Sequence, residues 1–426
     1  MSDKEINKKQ DSDEKEYALY TERIVQSPKA KYKKYINGVR TVLIAGALIL
    51  ALSLFIRYVI PWYGENFPQK QVDRDELTIE KDEYDGEGLA VLEGDDSLNL
   101  GPRDNAGEIT GLDSYQEIMN ALRLRVAEIK KSIVAIDRYP SSLNRFVQED
   151  VSPTETCALI IGYVNSEYVL ISKASAIGEA DDIIVRFSTG EELEGNVKCR
   201  DKDTDLAVIT IRAVDMSYTM LKSVKVAALD NSYNVHQGDL FLAYGRLYGQ
   251  NKAVDYGTVS EKTSKVTTDN TFEIFNSNLA YYEGDSSFIF NSSGNVIGIS
   301  TVTSGSTLSI IGISDLKALI EAMANKGGYA YFGIMGRNVT ADMVELYDLP
   351  MGIFISEVEV DSPAYNAGLQ AGDVICGING SSVLTIQLFS EKLYQCSDGQ
   401  NVFVKAMRMG KDGYYDVKFN VTVTIG

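Results

Sequence analysis

The chain has 426 residues, enough for two or three domains rather than one. Its composition, 44% hydrophobic and 24% charged, is that of a globular protein. The formal net charge of −19 excludes general nucleic-acid binding, which needs a basic surface to replace counterions. The four cysteines show no metal-ligand spacing, and no metal or cofactor is expected. Cys376, inside "DVICGING", reads as a small buried hydrophobe. Cys157 and Cys199 stay open as a pair or as free thiols. A single histidine, His236, restricts the chemistry more than any other count.

Residues 1–40 are polar and charged with little hydrophobic periodicity, the composition of a disordered tail. The run "TVLIAGALILALSLFI" at 41–56 resumes as "YVIPWY" after Arg57 and supplies the ~20 apolar residues a membrane span needs. A transmembrane helix is expected over 41–62. Lys29, Lys31, Lys33, Lys34 and Arg40 precede it, so the N-terminus is expected in the cytoplasm and the rest outside. The long polar stretch before the run, with no small-x-small site after it, weighs against a cleaved signal peptide.

Residues 63–112 are acidic and glycine-dotted ("DEYDGEGLAVLEGDDS") and read as an extended linker. Next, Ile118, Leu122, Val126 and Ile129 recur at helical spacing. Between Lys131 and Ser314 come short runs rich in β-branched and aromatic residues, such as "SIVAIDR", "CALIIGYV", "EYVLIS", "DIIVRFS", "LAVITI", "LFLAYG" and "VIGIST". Turn residues separate them at intervals of about ten, the pattern of an all-β sandwich or barrel. A helical stretch, "SDLKALIEAMANK", closes the region.

The order of these pieces resembles the HtrA (Deg) family of trypsin-like serine proteases, over essentially all of residues 120–423. "RDKDTDLAVITI" (200–211) is similar to the strand that carries the family's catalytic aspartate, a position held here by Asp205. "VHQGDLFLAYGRLYG", "NSSGNVIGIST" and "IIGISDLKALIEAM" follow in the family's order. The resemblance implies a mainly β protein: a trypsin-like double β-barrel over 113–328, then an α+β PDZ domain over 329–426, preceded by the one transmembrane helix.

Acyl transfer on such a fold needs a serine oxygen, an imidazole to take its proton and a carboxylate to orient the imidazole. By resemblance the histidine position, within "LISKASAIGEADDIIV", falls on Ala174. His236 follows the aspartate in chain order and reads as a loop histidine with no catalytic duty. The nucleophile segment is "YYEGDSSFIF". Counted back from the Gly294 turn without a gap, Asp285 holds the nucleophile position. With one deletion Ser286 holds it, and Gly284-Asp285-Ser286 stays in register with G-D-S. Either way the glycines that aim oxyanion donors are replaced by Ser287 and Phe288. Phe288 is expected to crowd a substrate backbone. Lys173 is the one alternative base, and as a neighbour of Ala174 at a strand end it is expected to point elsewhere. The triad positions Ala174, Asp205 and Ser286, with the oxyanion loop Gly284 and Asp285, are therefore expected to be incompetent.

"DSPAYNAGLQAGDVICGING" (361–380) is similar to a long PDZ motif of the same family. A PDZ domain adds a peptide as a strand to a sheet edge and caps its terminal carboxylate with backbone N–H groups. By resemblance the capping loop is Tyr331-Phe332-Gly333-Ile334. We therefore expect a membrane-anchored pseudoprotease of the cell envelope that binds extracytoplasmic polypeptides or protein C-termini, in protein quality control or scaffolding. The alternative is an active HtrA-type serine endopeptidase of the cell envelope. A third is a signalling component whose cytoplasmic tail reports PDZ occupancy. The resemblance also implies a homotrimer.

Overall fold

The computed structural model describes residues 74–83, 112–138, 154–178, 183–301 and 306–425, with Leu43 and Arg57 as isolated positions. The expected tail, and the expected span over 41–62 apart from those two positions, lie outside the described residues. Among the described residues no helix is long and apolar enough to cross a membrane. The chain divides into Met1–Gln69 and Lys70–Gly426, and all that follows concerns the second unit.

Helix α1 (Leu112–Ile129) opens the folded part with the expected spacing: Ile129 is buried, Leu122 and Val126 pack on the core, and Ile118 stays exposed. Six strands follow: β1 (Ile133–Arg138), β2 (Thr154–Val164), β3 (Glu167–Lys173), β4 (Ile183–Arg186), β5 (Glu192–Asp201) and β6 (Leu206–Arg212). A one-turn helix, α2 (Ala174–Ile177), follows β3. These strands close an antiparallel barrel in the order β1-β2-β3-β6-β5-β4. A second barrel repeats the arrangement with β7 (Leu240–Leu247), β8 (Gln250–Thr267), β9 (Asn270–Ala280), β10 (Ser286–Phe290), β11 (Val296–Thr301) and β12 (Thr307–Gly312). Its order is β10-β11-β12-β9-β8-β7.

Period-two alternation lets one strand serve two cores. On β2, Ala158 and Ile160 point into the first barrel, whereas Leu159 and Ile161 face the seam between barrels. On β3 the same split separates Leu170 from Val169 and Ile171. On β10, Ile289 fills the second barrel while Phe288 and Phe290 fill the seam. Each fully buried phenylalanine contributes about 1.5–3 kcal/mol. This overturns one expectation: Phe288 is buried in the seam (1% exposed) and crowds no open cleft.

Helix α3 (Ile313–Lys326) lays Leu316, Leu319, Ile320 and Met323 on the seam and ends at Gly327, whose φ of +71° suits a residue without Cβ. Within the expected linker, residues 74–83 lie as a strap along this helix. Leu77 N–H donates to Asn325 Oδ1 (2.8 Å) and Asn325 Nδ2 returns to Leu77 O (2.8 Å). Lys81 pairs with Glu321, and Asp82 with Lys317 (2.5 Å). The thiols of Cys157, Cys199, Cys376 and Cys396 are free.

The last part begins four residues beyond α3 with β13 (Ala330–Tyr331) and β14 (Ile334–Asn338), then β15 (Ile353–Val358), β16 (Val374–Ile378) and β17 (Ser381–Ser382). Helix α4 (Ile386–Tyr394) and strands β18 (Asn401–Gly410), β19 (Gly413–Thr422) and β20 (Thr424–Ile425) complete it. The main sheet runs β14-β15-β16-β18-β19, with β17 paired to β16, and encloses its own core around Phe332, Phe389 and Val421. At the end of α3, Lys326 Nζ donates to the carbonyls of Tyr394 (3.1 Å), Gln395 (2.6 Å) and Cys396 (3.0 Å). A cation there suits the partial negative charge of a helix C-terminus and fastens α4 to α3.

Candidate functional site

The expected triad positions meet where β3 ends and where β6 and β10 begin. Asp205 has φ +60°, a left-handed conformation that aspartate tolerates at modest cost, and it faces the start of α2. Its backbone carbonyl accepts from Ala174 N–H (2.8 Å). Its carboxylate accepts from Ser175 N–H (2.6 Å) and Ser175 Oγ (2.6 Å). Ala174 offers only a methyl group. The groups that would orient an imidazole instead cap a short helix.

Lys173 corrects the expectation that it points elsewhere. Its side chain is buried, with Nζ 3.7 Å from Asp205 Oδ2 and donating to the Asp285 carbonyl (3.1 Å). Burial pushes its pKa down, against the attraction of Asp205 and Asp285. Among the described residues Lys173 and Ser286 make no hydrogen bond to each other. The lysine is the cation that Asp205 now faces.

Asp285 is fully buried. Its carboxylate accepts from Tyr248 N–H (2.9 Å), Gly249 N–H (3.0 Å) and Tyr282 N–H (3.0 Å), so it staples the β7–β8 turn to the chain leading into β10. Its own N–H closes a turn on Tyr282 O (3.0 Å), and Ser287 N–H donates to Ser300 Oγ (2.8 Å). Two amides beside the nucleophile position are thus engaged within the fold. Ser286 is 1% exposed and pairs with Arg246 on β7. Gly245 makes that pairing tight: a Cβ there would meet Ser286 O at 2.3 Å. Gly284, with φ +81°, turns the chain before this segment. His236 is far from such burial; its side chain is 79% exposed beside Asp239.

The second site lies between β14 and α4. Between Tyr331 at the end of β13 and Ile334 at the start of β14, Phe332 and Gly333 turn the chain where the capping loop is expected, and Gly333 holds that turn: its φ is +94°, and a Cβ would meet Ser362 Cβ at 2.1 Å. The three amides that follow Tyr331 converge on one carboxylate, that of Asp269. Phe332 N–H donates to Oδ2 (2.7 Å), Ile334 N–H to Oδ1 (2.9 Å), and Gly333 N–H to both oxygens (2.8 and 3.0 Å). Asp269 belongs to the two-residue loop Thr268-Asp269 joining β8 to β9 in the second barrel. It is 3% exposed; burial pushes its carboxyl up to about 6 while the three amides hold it down.

Residues 160–299 match the trypsin-like peptidase domain family, and residues 297–419 match the PDZ domain family. A probable periplasmic serine endoprotease DegP-like of Pseudomonas savastanoi pv. phaseolicola is 26% identical over 316 residues, covering 68% of this chain and 63% of that protein. The serine endoprotease DegS of Haemophilus influenzae is 26% identical over 325 residues, covering 73% of this chain and 89% of that protein. With a trypsin-like peptidase match followed by a PDZ match, this chain is similar to the HtrA-like proteases in both parts. It spans 63% of the length of the first DegP-like relative and 54% of one from Pseudomonas putida (strain GB-1). The fold is also that of the HtrA-type protease AlgW solved with a tripeptide: TM-score 0.52, 22% identity, covering 72% of this chain and 97% of that one.

On this HtrA-like frame, Ala174, Asp205, Gly284, Asp285 and Ser286 are gathered in one place, and Tyr331 to Ile334 span the turn from β13 into β14. Two placements were not found from sequence. Lys173 was named, yet its inward direction depends on where β3 ends, which the run "LISKASAI" does not mark. Asp269 carries a turn signature and nothing more; no local pattern tells that a hairpin reaches a loop more than sixty residues downstream.

Proposed function

We propose that this HtrA-like chain is a membrane-anchored pseudoprotease that holds extracytoplasmic polypeptides through its PDZ groove, in envelope protein quality control or scaffolding. One observation carries the proposal: with Ala174 in the histidine position, the Asp205 carboxylate is engaged by Ser175 and faces Lys173. A serine hydroxyl with no base is a poor nucleophile at neutral pH. The burial of Asp285 and Ser286 supports the same conclusion, because a nucleophile must reach a substrate carbonyl. The periplasmic relatives support an extracytoplasmic location, and the apolar run at 41–60 with its lysine-rich flank supports an anchor with the N-terminus inside. The homotrimer belongs to this proposal and is tested by sedimentation.

A second reading, an active serine endopeptidase, is favoured by the relatives' names and by the buried Lys173, whose pKa is lowered. A fluorophosphonate probe on the purified full chain separates the two. No labelling is expected; labelling that disappears in Ser286→Ala would promote the active enzyme. For the anchor, protease added to intact cells should remove residues 331–423, and full protection of that part would reverse the assigned orientation.

A further inference from the structure

The Asp269 hairpin does more than touch the PDZ loop. It offers the two groups that a terminal residue presents to such a groove, a carboxylate (here on the side chain) on converging amides and a main-chain bond to the edge strand. The carboxylate takes the N–H groups of Phe332, Gly333 and Ile334. Asp269 N–H then donates to Ile334 O (2.7 Å), the first carbonyl of the β14 edge not used by β15. Ser390 on α4 donates to Asp269 O, and Gln387, one turn earlier, donates to Thr271 O (3.1 Å). Glu359 accepts from both Thr268 and Tyr331, clasping the hairpin to the loop. Asp269 and Asn270 are 3% and 2% exposed, so the hairpin fills its seat completely.

We propose that the β8–β9 hairpin is a built-in ligand of the PDZ groove, and that a polypeptide C-terminus binds only by displacing Asp269. The proposal rests on the reading that this groove takes terminal carboxylates. Two carboxylates cannot share three amides, so binding and latching exclude one another. The tethered ligand has the advantage of high effective concentration, on the order of millimolar for short connections. An incoming peptide therefore binds with an apparent affinity reduced by the fraction of chains whose latch is open. The acceptor chemistry of the displacing group is fixed as well: it must present a carboxylate and a main-chain N–H on the same residue.

The test uses the full chain in detergent, titrated with a fluorescent short-peptide library bearing free C-termini and with the same library amidated. Asp269→Ala should bind the free-carboxyl library about tenfold or more tighter than the natural chain, with no gain for the amidated one. Hydrogen exchange of the Phe332, Gly333 and Ile334 amides should accelerate in the same variant. Asp269→Asn, which keeps the side-chain shape and loses one acceptor, guards against misfolding and should fall between the two. Equal peptide affinity in all three chains overturns the latch and leaves the PDZ reading standing. Faster exchange at 332–334 without any binding overturns the PDZ reading and the proposed displacement together. No binding with unchanged exchange overturns the latch.

Discussion

Two carboxylates in this molecule sit on three backbone amides each, and they close two very different sites. Asp285 rests on Tyr248, Gly249 and Tyr282, beside the nucleophile position expected from the family resemblance. Asp269 rests on Phe332, Gly333 and Ile334, where the terminus of a PDZ ligand is proposed to sit. The first acid is part of the wall: it belongs to the segment it blocks, and the groups around it have been reassigned to Ser175 and Lys173. The second comes from another domain, on a hairpin, and the loop beneath it keeps its glycine and its shape. On the proposed reading, the same device seals one site by sequence change and covers another that stays chemically whole.

The sharpest way to break this comparison is to attempt repair of the first site. Ala174→His should leave hydrolysis of an unfolded protein substrate at background, because Asp285 and Ser286 are buried and Asp205 remains engaged. A working triad would exceed that background by orders of magnitude; turnover restored by this one change would show that the site is dormant rather than sealed. Next in size is the ion pair. Asp205→Ala strips the buried Lys173 of its only carboxylate partner within 4 Å among the described residues and should cost about 3 kcal/mol in urea unfolding, and an unchanged midpoint would remove its structural role.

The third prediction concerns pH. Burial raises Asp269 from an ordinary 3.8 to about 6, despite its three amide donors and with Glu359 adding to the rise. The folded chain then holds a proton that the unfolded chain releases between those values. The stability so contributed is complete below pH 3.8 and is lost as pH rises through about 6. Each such group gives a slope of at most ~1.4 kcal/mol per pH unit. Asp315, raised to about 7, extends the decline upward. Asp269→Asn should reduce the slope between about pH 3.8 and 6 and leave the Asp315 part, and an unaltered profile would mean that Asp269 titrates alike in the folded and unfolded chain. Last, His236→Ala should change stability by less than about 0.5 kcal/mol, as for an exposed side chain whose ion contact, to Asp239 at 3.9 Å, is itself exposed. A larger loss would give this histidine a role the geometry denies.

The double barrel was legible because its strands alternate so regularly: "SIVAIDR" and "LAVITI" declare strands before any contact is known. The expected loss of the imidazole rests on equally simple grounds, one histidine in the wrong chain order. Side-chain direction was not legible. Phe288 looked like an obstacle in a cleft, yet strand parity after Ser286 turns it into the seam between the barrels. Lys173 looked like a bystander, yet the chain starts α2 one residue later, and its Nζ lies between Asp205 and Asp285. Asp269 shows the general limit. A turn residue reports its own hairpin, whereas its partner is chosen by how two domains pack.

Gly162 has a further consequence. It leaves a dimple in β2 that a Cβ would close, coming within 2.4 Å of Leu77 Cδ1, and the strap's Leu77 sits in it. Beside it, Asn325 gives Leu77 the two hydrogen bonds that a neighbouring strand would give, from a side chain instead of a backbone. The strap is held by shape and by borrowed pairing, not by its covalent link to α1. A chain cut between residues 83 and 112 should therefore stay in one piece, as two fragments that complement each other.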